Sequence, residues 1–306
     1  MTKARVGFIG VGLMGHGMAS NILAKGFPLT VLGHRNRAPV EDLVSKGAAE
    51  ATSPADLARR SDIIVLCVTG APQVTEVLRG ENGILAGAHE GLHIVDTSTS
   101  EPTLTMALAQ ELAGRGIAFC DAPLGGTPIQ AETGQLSAMV GATDAAFAVV
   151  EPTIAAFASR IVRVGAPGAG HTMKLLNNFL SLGYGAIYAE ALAIAAKAGV
   201  TPQVFDQVIR GGRMDCGFYQ TFMGYALEGN PESHRFTITN AHKDMRYVTN
   251  LATNTGAAAF ISATVKNLYA TADGLGYGAS NVPLMVDVVG RMNGVPPVTD
   301  RREAAE

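Results

Sequence analysis

Short apolar runs alternate with helical patterns through the first half of the chain. The runs are rich in β-branched residues, and stretches of helical periodicity separate them. Alternation at this spacing predicts a mostly parallel sheet with helices on both faces. The predicted strands are Val6–Ile9, Leu29–Leu32, 62–68, 93–95, 117–120, 136–140 and 160–164, and the predicted helices between them include 18–24, 53–60 and 102–115.

The pattern changes at a glycine-rich cluster after the last predicted strand. Strand alternation stops there, and residues 171–197 follow as one continuous helical pattern. At 1.5 Å per residue this helix is roughly 40 Å long. Further helices are predicted to begin at Pro202 and to cover 218–227, 240–254, 257–275 and 281–289, and the charged tail from Pro296 is expected to fray.

The first predicted strand leads directly into a glycine motif and then a helix. A strand, a G-x-G-x-x-G turn and a helix in this order are the dinucleotide-binding fingerprint in its required setting. The first glycine permits a tight turn, the second lets the backbone approach a pyrophosphate, and the third lets the helix pack on the strand. The start of the helix then offers N–H groups and positive dipole to phosphates. The predicted cofactor-binding residues here are Gly10, Val11, Gly12, Leu13, Met14 and Gly15.

These patterns predict an α/β chain of two domains. We expect an N-terminal Rossmann domain, doubly wound with a mostly parallel sheet, over residues 1–165. An all-helical domain should follow over residues 166–306, joined to the first by the long interdomain helix. Residues 175–196 are apolar and as long as a membrane span, but they include Asn177, Asn178 and Glu190. We interpret them as a buried helix between domains, so no membrane association is predicted.

Composition excludes several other classes. The net charge is −3, so the chain lacks the basic character that would predict nucleic-acid binding. The three cysteines, Cys67, Cys120 and Cys216, are far apart and fit neither a disulfide framework nor a zinc ribbon. No metal-binding or Walker motif is present, so no metal is expected. The residues before Gly10 are too few and too glycine-rich for a signal peptide. We therefore expect a cytoplasmic protein.

The end of the second predicted strand indicates which nucleotide binds. NAD-binding Rossmann domains place an acidic residue there to hydrogen-bond the ribose hydroxyls. This chain has no carboxylate before Glu41 and instead offers basic groups that suit a 2′-phosphate. We predict NADP(H) in preference to NAD(H), although the arginines could also be solvated loop charges. The residues predicted to contact this end of the cofactor are His34, Arg35, Asn36 and Arg37.

Four segments together resemble the β-hydroxyacid dehydrogenase family, which includes 3-hydroxyisobutyrate dehydrogenases, tartronate semialdehyde reductases and sulfolactaldehyde reductases. The resemblance covers nearly the whole chain and implies a Rossmann domain, a helical domain and a dimer or tetramer. The segments are the glycine motif with 18–23, the run Asp121-Ala122-Pro123-Leu124-Gly125-Gly126-Thr127 with 134–141, the pattern Gly165-x-x-Gly168-x-Gly170-x-x-x-Lys174-x-x-Asn177-Asn178, and His242-Lys243-Asp244-Met245.

The third segment carries the predicted chemistry. Lys174 lies in the first turns of the long helix, and Asn177 and Asn178 share its face. Carbonyl reduction needs a proton for the developing alkoxide, and a lysine can supply it and stabilise the charge. The family places its catalytic lysine here, and Asn177 and Asn178 are predicted to bind substrate. The alternative is a lysine that extends to solvent from an apolar helix.

The second segment is predicted to bind the substrate's anionic group. It follows a strand end, where ligands bind in open α/β sheets, and its glycines expose backbone N–H groups. The predicted residues are Gly125, Gly126 and Thr127. Sulfolactaldehyde reductases carry glycine, arginine, threonine at these positions, so Gly126 departs from their pattern. A purely structural turn is the alternative.

The resemblance implies four further contacts to the cofactor, at Val68, Thr69, Thr99 and Lys243. Together these features predict an NADP(H)-dependent oxidoreductase that interconverts a small 3-hydroxy acid and its semialdehyde, as a homodimer or homotetramer. Two alternatives stay open. Imine reductases resemble this family but usually replace the lysine, and a catalytically silent NADP-binding protein would tolerate its substitution.

Overall fold

The computed structural model describes the backbone of residues 3–303 and the side chains of residues 3–300. The chain divides into two compact units, one ending at Lys174 and one beginning at Leu175. The division falls inside a single long helix, α8 (Ala169–Lys197), which contributes its first turns to the first unit and the rest to the second.

The first unit is built on a nine-stranded sheet. The strand order is β3-β2-β1-β4-β5-β6-β8-β7, with β9 paired to β8. Pairing is parallel except where β8 meets β6 and β7. The predicted α/β class and doubly wound, mostly parallel sheet are therefore confirmed. The strands are β1 (Val6–Ile9), β2 (Leu29–Leu32), β3 (Ala49–Ala51), β4 (Ile63–Leu66), β5 (His93–Asp96), β6 (Ala118–Asp121), β7 (Leu124–Gly125), β8 (Leu136–Gly141) and β9 (Ala158–Gly165).

Both faces of this sheet are covered. Successive residues of β4 point to opposite faces, so that Ile63 and Val65 join one hydrophobic core and Ile64 and Leu66 the other. All four are fully buried. The helices of this unit are α1 (Gly15–Ala24), α2 (Ala38–Ser45), α3 (Pro54–Arg59), α4 (Ala71–Arg79), α5 (Pro102–Ala113), α6 (Pro128–Glu132) and α7 (Asp144–Ile154).

Two short strands of this sheet were not predicted. The strand β3 has the sequence AEA and two of its three residues are exposed, so it lacks the apolar signal of a buried strand. The strand β7 has only two residues, and its antiparallel partner β8 holds it in place. Short edge strands of this kind depend on pairing with a neighbour, which periodicity does not report.

Helices are the regular elements of the second unit in the part of the chain that the structure describes, together with one isolated β-bridge between Thr237 and Asn281. Its helices are the rest of α8, then α9 (Pro202–Ile209), α10 (Gly217–Glu228), α11 (Ile238–Thr255), α12 (Phe260–Ala272), α13 (Met285–Met292) and α14 (Val298–Glu303). The α8 helix is long and apolar enough to cross a membrane, judged by length and composition alone.

Three predictions for this unit need correction. The predicted helix 257–275 is shorter, because a π-helical segment, Asp273–Tyr277, with Gly276 at positive φ, replaces its last turn. The predicted helix 281–289 begins as a 3₁₀ turn around Pro283 before α13. The tail forms α14 rather than fraying from Pro296, since the Val298 N–H donates to Asp287 Oδ1 at 2.8 Å. Residues 304–306 lie outside the described part of the tail.

Candidate active site

The glycine turn after β1 has the conformation that the fingerprint requires. Gly10 has φ +101°, and a Cβ there would overlap the carbonyl of Cys67 at the end of β4. A Cβ on Gly15 would overlap the Gly10 carbonyl, so this glycine brings α1 against the turn. Gly12 differs, because a Cβ there would meet no protein atom within 4 Å. The protein itself therefore does not require glycine at position 12, which fits a backbone that a pyrophosphate approaches.

The start of α1 adds to this anion-binding character. Its first turn contains no acidic residue, and its N-cap residue, Met14, makes no side-chain hydrogen bond to it. Leu13 exposes 67% of its surface beside this turn. The turn lies between β1 and β4, where the strand order of the sheet reverses and where dinucleotides bind in this architecture.

The four residues predicted to contact the 2′-phosphate lie together after β2, and all are exposed. Their arginines differ. Arg37 binds Glu50 of β3 through two hydrogen bonds, of 2.6 Å and 2.9 Å, and it also lies 3.8 Å from Glu41. Gly33 makes room for the Arg37 guanidinium, which a Cβ at that position would overlap. Arg35 forms no ion pair with any residue whose side chain the structure describes.

Hydrogen bonds join the ends of β4 and β5. The Val68 N–H donates to Ser98 Oγ at 3.0 Å, and the Thr97 hydroxyl donates to the Leu66 carbonyl at 2.6 Å. Thr69 is exposed and Thr99 is half-buried beside them. The predicted contacts Val68, Thr69 and Thr99 therefore share one edge of the sheet with the glycine turn.

Lys174 lies in the second turn of α8 and belongs to the first unit. Its half-buried side chain reaches the segment that follows β6, where Nζ donates to the Leu124 carbonyl at 2.8 Å. The next residue is Gly125, the first of the predicted anion-binding group. The first unit therefore brings the amine of Lys174 to the start of that group.

Two buried residues that the sequence did not single out as functional side chains hold the start of α8. The Asp121 carboxylate accepts hydrogen bonds from the N–H groups of Gly168 and His171, both at 2.7 Å. Burial raises the pKa of Asp121, and the nearby His171 and the backbone donors offset this only partly. Asp121 begins the predicted substrate-binding segment, but its capping of α8 depends on a contact between residues 50 positions apart, which no local pattern indicates.

The predicted anion-binding residues differ in availability. Gly126 has φ +127°, which glycine favours, and it is exposed. The Thr127 N–H donates to Gln130 Oε1 at 2.9 Å in the capping box of α6. The backbone N–H of Thr127 is thus engaged by the protein, whereas Gly125 and Gly126 lie in a half-exposed to exposed turn.

In the second unit, Asn178 and the Lys243-Asp244 pair come together. Asn178 is buried, and its amide donates to Asp244 Oδ2 at 2.6 Å. Lys243 Nζ lies 3.3 Å from the other oxygen of Asp244, a carboxylate that is only 1% exposed. Asn177 is exposed on the neighbouring position of α8. The Asn178 side chain is therefore engaged by the protein, whereas the exposed Asn177 amide donates, among the described residues, only to Asn178 Oδ1, at 3.4 Å.

Among the residues whose side chains are described, no group of three or more histidines, cysteines or carboxylates is arranged to hold a metal ion. The described candidate site consists of the glycine turn, where the strand order of the mostly parallel sheet reverses, and of Lys174 in the second turn of α8.

Comparison with known proteins defines this class further. Residues 5–165 match the family model described as the NAD binding domain of 6-phosphogluconate dehydrogenase. Residues 168–289 match the model described as NAD-binding of NADP-dependent 3-hydroxyisobutyrate dehydrogenase. The 3-sulfolactaldehyde reductase of Escherichia coli (strain K12) is 30% identical over 286 residues, which are 94% of this chain and 96% of that protein. The 2-(hydroxymethyl)glutarate dehydrogenase of Eubacterium barkeri is 30% identical over 95% of this chain and 96% of its own length.

Solved structures agree with these relatives. The 3-hydroxyisobutyrate dehydrogenase (ygbJ) of Salmonella typhimurium is 27% identical, with a TM-score of 0.82, and the match covers 93% of this chain and 99% of that one. The chain belongs to the β-hydroxyacid dehydrogenase family. It is an NAD(P)-dependent hydroxyacid dehydrogenase that acts on a CH–OH group of a small molecule.

Proposed function

We propose that this protein interconverts a small 3-hydroxy acid and its semialdehyde with NADP(H), and that Lys174 is the general acid and base. A nicotinamide cofactor, when bound, would supply or accept the hydride. What the chain itself must supply is a proton, an anion-binding group for the substrate and a place for the cofactor phosphates. The observation that carries the proposal is the hydrogen bond from Lys174 to Leu124, which brings an amine next to Gly125.

Lys174 suits both directions of the reaction. An ammonium near a substrate carbonyl can donate a proton to the oxygen as negative charge develops there. In the reverse direction the neutral amine accepts the hydroxyl proton. The half-buried position of the side chain, anchored on a carbonyl, limits the rotamers available to Nζ.

The substrate class follows from the groups near this lysine. Gly125 and Gly126 lie at a turn whose backbone can bind an anion. Asn177, exposed on α8, is a further candidate to bind the substrate. Two relatives carry names that denote hydroxy acids or their semialdehydes, one with a sulfonate. Because Gly126 supplies no positive charge, we favour a carboxylate over a sulfonate.

The preference for NADP(H) over NAD(H) rests on the basic loop after β2. Arg37 is held by Glu50, whereas Arg35 is exposed beside it. We assign the main contact to the 2′-phosphate to Arg35, supported by His34 and Asn36, and assign Arg37 to a second contact limited by its carboxylate partner. A related structure, 25% identical with a TM-score of 0.81, is described as a complex with NADP+.

Assembly into a homodimer or homotetramer is supported by the surface of α8. Beyond Lys174 this helix exposes large apolar side chains at helical spacing, and such a stripe is typical of an interface. The members are Leu176, Leu180, Tyr184, Ile187 and Ile194. Burial of this stripe between subunits also explains the apolar character of α8 without a membrane. A cytoplasmic location is supported by three cysteines that are all free.

Turnover of a substrate panel tests the proposal. The protein, assayed with NADPH, would be offered small semialdehydes bearing a carboxylate, a sulfonate or no anion, and a cyclic imine. We expect the carboxylate to give the highest kcat/KM, and Lys174→Ala to retain NADPH binding without turnover. Reduction of the imine alone would contradict the proposed reaction, and cofactor binding with no turnover of any compound would indicate a silent binding protein.

A further inference from the structure

The start of α8 is held by a carboxylate that comes from another element. Asp121, the last residue of β6, is fully buried and bridges the backbone N–H groups of Gly168 and His171. Helix N-termini leave these groups without helical partners, and a negative charge there also complements the helix dipole. The first turn of α8 is thereby fixed to the edge of the sheet.

Two glycines leave the space that this carboxylate fills. A Cβ on Gly141 would overlap Asp121 Oδ1, and a Cβ on Gly170 would lie 2.8 Å from Oδ2. Gly141 is the last residue of β8, and Gly170 is the second residue of α8. At both glycines the backbone approaches the Asp121 carboxylate more closely than a residue with a Cβ would allow. The packing of β8 and α8 therefore fixes the position of the carboxylate.

His171 makes a second attachment. Its ring is fully buried, with Nε2 donating to the Ser98 carbonyl at 3.1 Å and Nδ1 2.7 Å from the Thr105 hydroxyl. Asp96 and Asp121 each place a carboxylate oxygen 3.8 Å from a ring nitrogen. One imidazole therefore joins α8 to the loop after β5 and to α5.

These contacts form one continuous path. Ser98, whose carbonyl accepts from His171, also accepts the Val68 N–H on its hydroxyl. At the other end, Lys174 follows His171 by three residues, about one turn of helix. The Lys174 amine then returns to Leu124, three residues after Asp121. The loops after β4, β5 and β6 are thus linked to the turn of α8 that carries Lys174.

We propose that Asp121 and His171 are positioning residues for Lys174, which set the place of its amine relative to the cofactor-binding edge of the sheet. The inference rests on the proposed role of Lys174 as acid and base. Neither residue needs to touch substrate or cofactor. Removing either attachment lets the first turn of α8 shift, and a displacement of about 1 Å at a reacting group can cost on the order of a hundredfold in rate.

The test is Asp121→Asn, which keeps the size of the side chain but loses its charge and one acceptor. We expect kcat to fall at least about tenfold while the dissociation constant of NADPH stays within about twofold, because the displaced amine slows only the proton transfer. The solvent deuterium isotope effect on kcat should increase at the same time. A merely structural role would leave the isotope effect unchanged and would lower kcat and the number of NADPH sites per protein only in proportion to the folded fraction. That result would overturn the proposal.

A substitution less disruptive than Asp121→Asn tests the same inference if that variant fails to fold. Thr105→Val removes the hydroxyl that contacts His171 but preserves shape, and we expect about a threefold fall in kcat with a larger solvent isotope effect. Thr153→Val is the matched control, because Thr153 is also buried in the same unit and its hydroxyl makes no hydrogen bond to any described residue. Equal effects of the two valines on kcat and on the isotope effect would contradict the inference.

The Lys174→Ala variant separates this inference from the proposed function. If Lys174→Ala retains turnover, the role of Lys174 fails and nothing remains for Asp121 to position. If Lys174→Ala is inactive but Asp121→Asn has the kcat and isotope effect of the wild type, only the positioning proposal fails. If both variants are impaired, Asp121→Asn in the Lys174→Ala background should cause no further loss, since both changes act through one group.

Discussion

The glycine turn of the first unit and the polar group of the second unit are held by different means. Gly10 and Gly15 are fixed by backbone conformation and by carbonyl groups that leave no room for a side chain. In the second unit, Asn178 of α8 donates to Asp244 of α11, and Lys243 pairs with the same carboxylate from within α11. The first arrangement follows from a local sequence motif. The second depends on contact between two helices that are far apart in the sequence.

This contrast has a consequence for mutation. A site held by backbone geometry should fail as a whole when a glycine acquires a Cβ. A site held by buried side-chain bonds should lose a limited amount of stability when one partner is removed, and its exposed neighbours should matter little.

Gly10→Ala should have the largest effect. Alanine at φ +101° is strained, and its Cβ would overlap the Cys67 carbonyl, so we expect a loss of at least about 3 kcal/mol in the free energy of unfolding and no measurable NADPH binding. Gly12→Ala is the matched control, because its Cβ meets no protein atom within 4 Å. Chemical denaturation should show Gly12→Ala folded like the wild type, while titration shows weaker cofactor binding. Equal destabilisation by both would refute the distinction.

Asn178→Ala should destabilise the second unit by about 2 kcal/mol, because the buried Asp244 carboxylate loses a hydrogen-bond donor and the amide leaves a small cavity. Asn177→Ala, at the exposed neighbouring position, should change the free energy of unfolding by less than about 0.5 kcal/mol. Urea denaturation measures both. A neutral Asn178→Ala would mean that the bond to Asp244 does not hold these helices.

The two arginines after β2 should differ in their effect on cofactor choice. Arg35→Ala should weaken NADPH binding at least about tenfold, or about 1.4 kcal/mol, and leave NADH binding unchanged. Arg37→Ala should have a smaller effect, because Glu50 already engages that guanidinium. Fluorescence titration of the two variants with both nucleotides gives four dissociation constants, each of which is compared with the wild-type value. Equal weakening of NADPH and NADH by Arg35→Ala would contradict the assignment to the 2′-phosphate.

The smallest effect concerns His16, which lies 2.8 Å from Asp42 and 3.0 Å from Glu132. Burial lowers its pKa, but the hydrogen bonds to Glu132 and Asp42 outweigh this, so the pKa is raised above its usual 6.5. A raised pKa means that folding favours the protonated ring. The stabilisation is therefore complete below about pH 6.5 and is lost as the pH rises through the folded-state value.

The variant that tests this is His16→Gln. Its free energy of unfolding should fall below that of the wild type by less than about 1 kcal/mol at low pH, and the two should converge as the pH rises above neutrality. Denaturation curves from about pH 5 to about pH 9 measure the difference. A gap that widens with rising pH would have the wrong sign.

The sequence was most informative where chemistry depends on local geometry. The strand before Gly10, the glycine spacing and the length of α8 predicted the fold class, which the structure confirms. The cofactor site at the glycine turn stays a prediction. The exposed edge strand β3 had no apolar signal, and with it the ion pair between Glu50 and Arg37 was missed. The cap that Asp121 provides to α8 was missed for a different reason, because it joins residues nearly 50 positions apart. Long-range polar contacts of this kind require coordinates.

Chemical rescue examines whether the amine of Lys174 transfers the proton. Lys174→Ala should bind NADPH like the wild type, turn over at least about a hundredfold more slowly, and regain part of that loss when a small alkylamine is added. Turnover within about threefold of the wild type, with no response to the amine, would show that Lys174 does not transfer the proton.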